Sequence, residues 1–142
     1  MKIVYLHQYF NTPTMPGGTR SYEMARRMVA AGHEVHMVTS HCKGSAPVKA
    51  GRWYETTEAG IHVHWLVNPY SNRMDFSRRI RAFFWYAIRA SARAQKLHGD
   101  IIFATSTPLT VAIPALYAKW RNRIPMVFEV RDLWPEVPIA LG

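Results

Sequence analysis

A single cysteine, Cys42, is all that the 142 residues contain, so no intramolecular disulfide framework is available and the chain suits a reducing compartment. Acidic residues are scarce. Nine Asp and Glu stand against eighteen Lys and Arg, a formal charge of +9 that points to anionic partners such as phosphates, acidic lipid or nucleic acid. The longest apolar stretch, 101–116, is broken by Thr105, Ser106, Thr107, Pro108, Thr110 and Pro114, short of the ~18 uninterrupted apolar residues of a membrane span. Met1 to Phe10 has neither the basic nor the small-residue cleavage region of a secretion signal, and a cytoplasmic location is the expectation. No repeat or low-complexity tract is present.

The apolar content of 49% with only 19% charged residues excludes a disordered chain, and the length suits one domain. Ile3–Tyr9 reads as a buried strand, followed by a Pro- and Gly-containing loop at 11–20 and a helix from Thr19 or Ser21 to Ala31, stopped by Gly32. Glu34–Ser40 and Ile61–Val67 are further strands, with a polar loop or hairpin region between them at 43–60. Asp75–Leu97 is an amphipathic basic helix. Phe76, Ile80, Phe83, Phe84, Ala87, Ser91 and Ala94 share one side of it, and Arg78, Arg81, Trp85, Arg89, Arg93 and Lys96 centre on the other. Asp100–Ala104 is a strand, Pro108–Asn122 a helix with a kink expected at Pro114, and Met126–Val130 a last strand.

Strands alternating with helices predict an α/β fold: a Rossmann-like, doubly wound parallel sheet with helices on both faces. In such sheets ligands bind beyond the carboxyl ends of the strands, where the strand order reverses. Those ends carry His7 to Phe10, Ser40 and His41, Asn68 to Tyr70, Ser106 to Pro108, and Arg131 with Asp132. The first runs into Pro16-Gly17-Gly18-Thr19-Arg20, where glycine permits close backbone approach and the following helix start favours an anion. The run is neither the G-x-G-x-x-G dinucleotide fingerprint nor a Walker A loop, so nicotinamide and P-loop chemistry are not indicated.

Gly17-Gly18 with its helix, then Gly32-His33-Glu34-Val35, Gly99-Asp100-Ile101-Ile102, Ser106-Thr107-Pro108 and finally the stretch 128–136 (FEVRDLWPE) resemble, in this order, the retaining family 4 glycosyltransferases. The likeness is closest to those that build bacterial surface polysaccharide, lipopolysaccharide or capsule, from amino or deoxy sugars. It covers nearly the whole chain and implies the amino-terminal, acceptor-side half of a two-domain GT-B enzyme. The nucleotide-sugar-binding half is expected to be absent from residues 1–142, and the chain alone is expected to be inactive. The resemblance implies a nucleoside diphosphate sugar as substrate, expected to be UDP-linked, and a lipid-linked saccharide acceptor, with no metal requirement. It assigns Gly17 and Gly18 to the donor diphosphate. It also places Arg131 and Asp132 at the strand end where many relatives carry His followed by an acid. Arg131 replaces that His with a permanent cation, so no catalytic histidine is carried over. His7, Tyr9, Thr107 and Arg20 are candidates for acceptor or cleft contacts.

The segment Arg73 to Lys96 holds seven basic residues and one acid. At about 1 kcal/mol per basic residue near an anionic leaflet, Arg78, Arg81, Arg89 and Arg93, with Trp85 among them, are candidate contacts for peripheral membrane binding. A solvated helix face is the alternative at this stage, and a non-catalytic module binding nucleic acid through the same segment, or a phosphate ligand through Gly17 and Gly18, is the rival function. His33, His36, His41, His62 and His64 lack ligand spacing with Cys or carboxylates, so no metal site is expected.

Overall fold

The computed structural model describes residues 1–42, 46–71 and 73–131. Its elements run β1 (Lys2–Leu6), α1 (Arg20–Ala30), β2 (Glu34–His41), β3 (Trp53–Glu58), β4 (Ile61–Val67), α2 (Phe76–Lys96), β5 (Ile101–Thr105), a 3-10 turn (Leu109–Val111), α3 (Ala112–Asn122) and β6 (Met126–Glu129). They form one six-stranded sheet in the order β3-β4-β2-β1-β5-β6. Every pairing is parallel except β3 with β4. The expected doubly wound α/β fold is observed, with α1 on one face and α2 and α3 on the other.

Period-two alternation splits β1 between the two faces. Val4 and Leu6 join Tyr86, Ala90 and Ala115 in one core, and Tyr5 joins Ala25, Met37 and Trp65 in the other. Gly99 lets the backbone approach β1 closely: a Cβ there would lie 2.7 Å from Val4 Cγ2 and 3.1 Å from the Lys2 carbonyl oxygen.

Three details differ from the sequence reading, and a fourth decides between its loop and hairpin alternatives. The first strand ends at Leu6 rather than Tyr9. The region before β4 contributes an antiparallel edge strand, β3, closed by Ala59 and Gly60, both at positive φ as a two-residue hairpin turn requires. Pro114 does not kink a helix, because α3 begins at Ala112 and places the proline in the first turn, where its missing N–H breaks no intrahelical bond. The face of α2 is also rotated. Its buried residues are Ala82, Tyr86, Ala87, Ala90, Ser91 and Ala94, while Phe76, Ile80, Phe84 and Ile88 remain exposed. Small side chains bring the helix close to the sheet, and the single large one, Tyr86, is accommodated because its hydroxyl donates to the Val38 carbonyl at 2.9 Å.

Histidines at the start of β2 and β4 form a polar chain beneath α2. Glu34 Oε1 lies 2.6 Å from His36 Nε2, and His36 Nδ1 lies 2.9 Å from His64 Nε2. His64 Nδ1 lies 3.1 Å from Glu55 Oε1, which also accepts from Arg93 at 2.7 Å. Burial pushes His64 down to about 4, with Glu55 opposing the shift, and burial lowers His36 too.

Two outcomes follow from this packing. Gly99→Ala should cost ~1–3 kcal/mol in urea unfolding, because Val4 and the Lys2 backbone must both move; an unchanged midpoint would contradict the close approach. In the folded state His64 resists protonation below its ordinary value of 6.5, whereas the unfolded chain binds the proton. Stability is therefore full above about pH 6.5 and falls towards pH 4, by a total on the order of 3 kcal/mol for this residue. His64→Gln should flatten that part of the profile in urea titrations run between these limits.

Candidate functional site

The chain proceeds outward from β1 through β2 to β4, then returns to place β5 on the other side of β1. The strand order thus reverses between β1 and β5, and the crevice expected of this topology lies beyond their carboxyl ends. Two clusters of side chains stand on either side of it.

On the β2–β4 side is a cavity of about 540 Å³ lined by residues including Tyr9, Phe10, Gly17, His41, Trp65, Tyr70 and Arg73, within the ~300–1,000 Å³ range of ordinary ligand sites. Its rings are mutually braced. Tyr9 lies 5.7 Å from Tyr70, Phe10 lies 5.7 Å from Trp65, and Tyr54 stacks on Trp65 at 6.0 Å. His41 Nδ1 meets the Tyr54 hydroxyl, and Trp65 Nε1–H donates to Thr56 Oγ1 at 2.9 Å. Burial and the neighbouring Tyr70 push the Tyr9 phenol well above its usual value, so it is a neutral hydrogen-bonding group at physiological pH.

On the β5–β6 side, Glu129 is paired with Arg20 and accepts from Thr105 Oγ1 at 2.9 Å. The carboxylate that the sequence places inside an apolar strand therefore has its partners. Ser106 Oγ accepts from the Arg131 N–H at 2.9 Å. His7 is buried, and burial together with the adjacent Arg131 cation holds it down to about 4, so its ring is neutral. Thr107 is exposed at the carboxyl end of β5.

The Gly17-Gly18 turn stands exposed between the two clusters. Gly17 takes φ +134, a conformation open to glycine, and a Cβ there would meet Asn11 Nδ2 at 2.6 Å. Nothing lies within 4 Å of the place a Gly18 Cβ would occupy. Asn11 Nδ2 lies 3.4 Å from the carbonyls of both Tyr9 and Gly18, an arrangement that holds the loop by its acceptors. Among the described residues, no carbonyl or side chain of the chain takes the Gly17 or Gly18 amide.

The structure therefore brings Gly17 and Tyr9 to one cavity, His7 beside Arg131, and Arg20 onto Glu129. Asp132 lies outside the described residues. Arg78, Arg81, Trp85, Arg89 and Arg93 are on α2, whose packed side covers the sheet rather than this crevice. Arg93 is held against Glu55 and over the Trp53 ring at 4.7 Å, so it turns toward β3 instead of outward. Trp65 and Arg73 were absent from the sequence-based set. Nothing local marks Trp65, a mid-strand residue, and Arg73 reads as one charge in a basic segment. Among the described residues no group of three or more His, Cys, Asp or Glu is placed to hold a metal ion.

No curated protein matches the chain. Two solved structures of the C-terminal domain of a hydrogenase from Pyrococcus furiosus are similar in fold, each with a TM-score of 0.62 over 90% of both chains, at 15% and 14% identity. At that identity the likeness extends to the architecture alone. The family model of the glycosyl transferase 4-like domain matches residues 17–141, a span that begins at the glycine turn and includes Arg131. The chain thus belongs to the glycosyl transferase 4-like domain family, and its chemistry is glycosyl transfer.

Proposed function

We propose that this domain is the acceptor-holding half of a retaining glycosyltransferase. It would transfer a hexosyl unit from a nucleoside diphosphate sugar, UDP-linked in our reading, to a lipid-linked saccharide in bacterial surface polysaccharide synthesis. The observation that carries the reading is that the Gly17-Gly18 turn, whose amides have no partner among the described residues, borders an aromatic cavity beside the point of strand-order reversal. Backbone N–H groups at the approach to α1 suit a diphosphate, and the rings of Tyr9 and Tyr70 suit the C–H faces of a saccharide.

In this reaction the bond from the sugar's anomeric carbon to the diphosphate oxygen breaks, and a bond to the acceptor hydroxyl oxygen forms on the same face. The acceptor proton passes to the departing phosphate. The domain contributes positioning and charge. The glycine amides face the oxygen on which negative charge grows, and Arg131 adds a fixed cation beside a neutral His7. Asp132 is proposed to hold a sugar hydroxyl. A second domain supplies the contacts to the nucleotide, and no metal enters the scheme.

Gly18 provides the cleanest test, because its surroundings are empty. In the complete two-domain enzyme, Gly18→Ala should leave stability within about 0.5 kcal/mol of the parent while lowering kcat/KM for the donor about tenfold or more. Gly17→Ala should lower both, with ~1–3 kcal/mol of strain at its positive φ. Full activity of Gly18→Ala would remove the diphosphate from this turn. Tyr70→Ala should raise KM for the acceptor and leave the donor KM unchanged; the reverse split would place the donor in the aromatic cavity. Turnover by residues 1–142 alone would contradict the need for a second domain.

A further inference from the structure

The first turn of α1 lacks the usual local anchor. Thr19, at the N-cap, makes no side-chain hydrogen bond to the helix, and only its carbonyl takes part, accepting from the Glu23 N–H at 3.0 Å. A capping side chain ordinarily fixes where a helix begins. Another constraint must therefore set the start of α1 and, with it, the glycine turn that leads into it. Helix packing does not supply one on the β5–β6 side, because α1 lies chiefly against β2 and β4.

Side chains from the far half of the sheet supply it. Arg20, the first residue of α1 and two positions beyond Gly18, pairs with Glu129 at the end of β6, 109 positions away. The other carboxylate oxygen of Glu129 takes the hydroxyl of Thr105 at 2.9 Å, its direct neighbour in the β5–β6 register. Thr105 Oγ1 in turn lies 3.3 Å from the phenol oxygen of Tyr5, which is buried in β1. Burial pushes that phenol up, with hydrogen bonds to Ser21 and Thr105 opposing the shift, so it remains a neutral hydrogen-bonding group. Arg20 and Ser21, consecutive in the first turn, are thereby tied to β1, β5 and β6.

Glu129 is also connected through its backbone. Its carbonyl accepts from the Ser106 N–H at 3.0 Å, and Ser106 Oγ accepts from the Arg131 N–H at 2.9 Å. One residue thus joins the helix that follows the glycine turn to the strand-end segment that carries Arg131. The Arg20 side chain is 55% exposed and that of Glu129 19%, and a half-exposed pair contributes little to global stability. Its effect is local and geometric.

We propose that Glu129 is a positioning residue: through Arg20 it fixes the start of α1 and so holds the Gly17 and Gly18 amides at a set place relative to Arg131. Glu129 itself touches no substrate in this scheme. Its carboxylate also keeps the Arg20 guanidinium from turning to an anion at the glycine turn. A displacement of about 1 Å at a reacting group can cost on the order of 100-fold in rate, so a link remote from the chemistry is enough to govern turnover. The placement of the helix start stands on the contacts above, whereas its effect on sugar transfer rests on the proposed diphosphate at the glycine turn.

Two measurements test the two parts. In the 142-residue chain, hydrogen exchange of the Glu23 amide, which closes the first turn, should speed up about tenfold or more in Glu129→Ala and in Arg20→Ala. Exchange at Ala31, bonded to Arg27 at the other end of the helix, should stay within about twofold of the parent. Glu129→Gln should remain near the parent at both positions, because its amide oxygen still accepts from Arg20. Unchanged protection of Glu23 in the two Ala variants overturns the proposal. In the complete two-domain enzyme, Glu129→Ala and Arg20→Ala should each lower kcat/KM for the donor about tenfold or more and leave the acceptor KM unchanged. Their combination should lose no more than either alone, since both break one link, and Glu129→Gln should recover most of the activity. If Glu129→Ala fails to fold, Arg20→Ala breaks the same link from its exposed end.

Additive losses overturn the shared link. A raised acceptor KM in Arg20→Ala alone also overturns it, by making Arg20 a direct acceptor contact. So does a lowered donor KM in Glu129→Ala, which would show a freed Arg20 binding the diphosphate. Faster exchange at Glu23 with full donor kcat/KM is read against Gly18→Ala. If Gly18→Ala is impaired, the positioning role is overturned; if it is fully active, the placement of α1 stands and the diphosphate reading fails.

Discussion

The burial of β1 on both faces is the constraint on which the remaining architecture depends. Val4 and Leu6 are inaccessible on the α2–α3 side and Tyr5 on the α1 side, and both lateral neighbours pair with this strand in parallel. A five-residue strand enclosed on all four sides has no freedom to slip, since a shift of one residue would exchange the two cores. Its carboxyl end is correspondingly fixed. From that end hang His7, the aromatic pair Tyr9 and Phe10, and the loop that presents Gly17 and Gly18. The position of the candidate site follows from packing beneath it.

The site and the helical face obey different physics. At the crevice Arg20 is matched by Glu129, and burial keeps His7 neutral beside the Arg131 cation. Among the described residues nothing takes the amides of the glycine turn, which leaves them as donors for the proposed diphosphate. On α2 and α3 the cations outnumber the acids beside them: among the described residues Arg93 pairs with Glu55 and Arg78 with Asp75. That excess of one sign costs self-repulsion in solution.

Much of the fold was legible in the residues themselves, because hydrophobic periodicity is local. Parallel strands, the start and stop of α1, the span of α2 and the set of strand ends that meet in the crevice all follow from apolar spacing and the placement of Gly and Pro. Gly32 stops α1 as expected, at φ +86. The order of short motifs from Gly17 to Arg131 pointed to the glycosyltransferase family, and the match over 17–141 establishes it.

Tertiary structure decided the rest, and in each case the reason is that the deciding neighbour is distant in sequence. Which face of α2 is buried depended on how closely the helix could approach the sheet. That distance favoured Ala82 and Ala90 over the bulkier Phe76, Ile80 and Phe84, although hydrophobicity alone ranks them the other way, while Ala87, Ser91 and Ala94 are buried as their spacing predicts. The antiparallel β3 required an edge of β4 to pair with, and Glu129 required Arg20, 109 positions away, to be satisfied at the strand end. Trp65 belongs to the cavity because Phe10 and Tyr54 pack around it. Sequence spacing determines which side chains an element can present, whereas the partners that bury, pair or expose them exist only once the sheet has assembled.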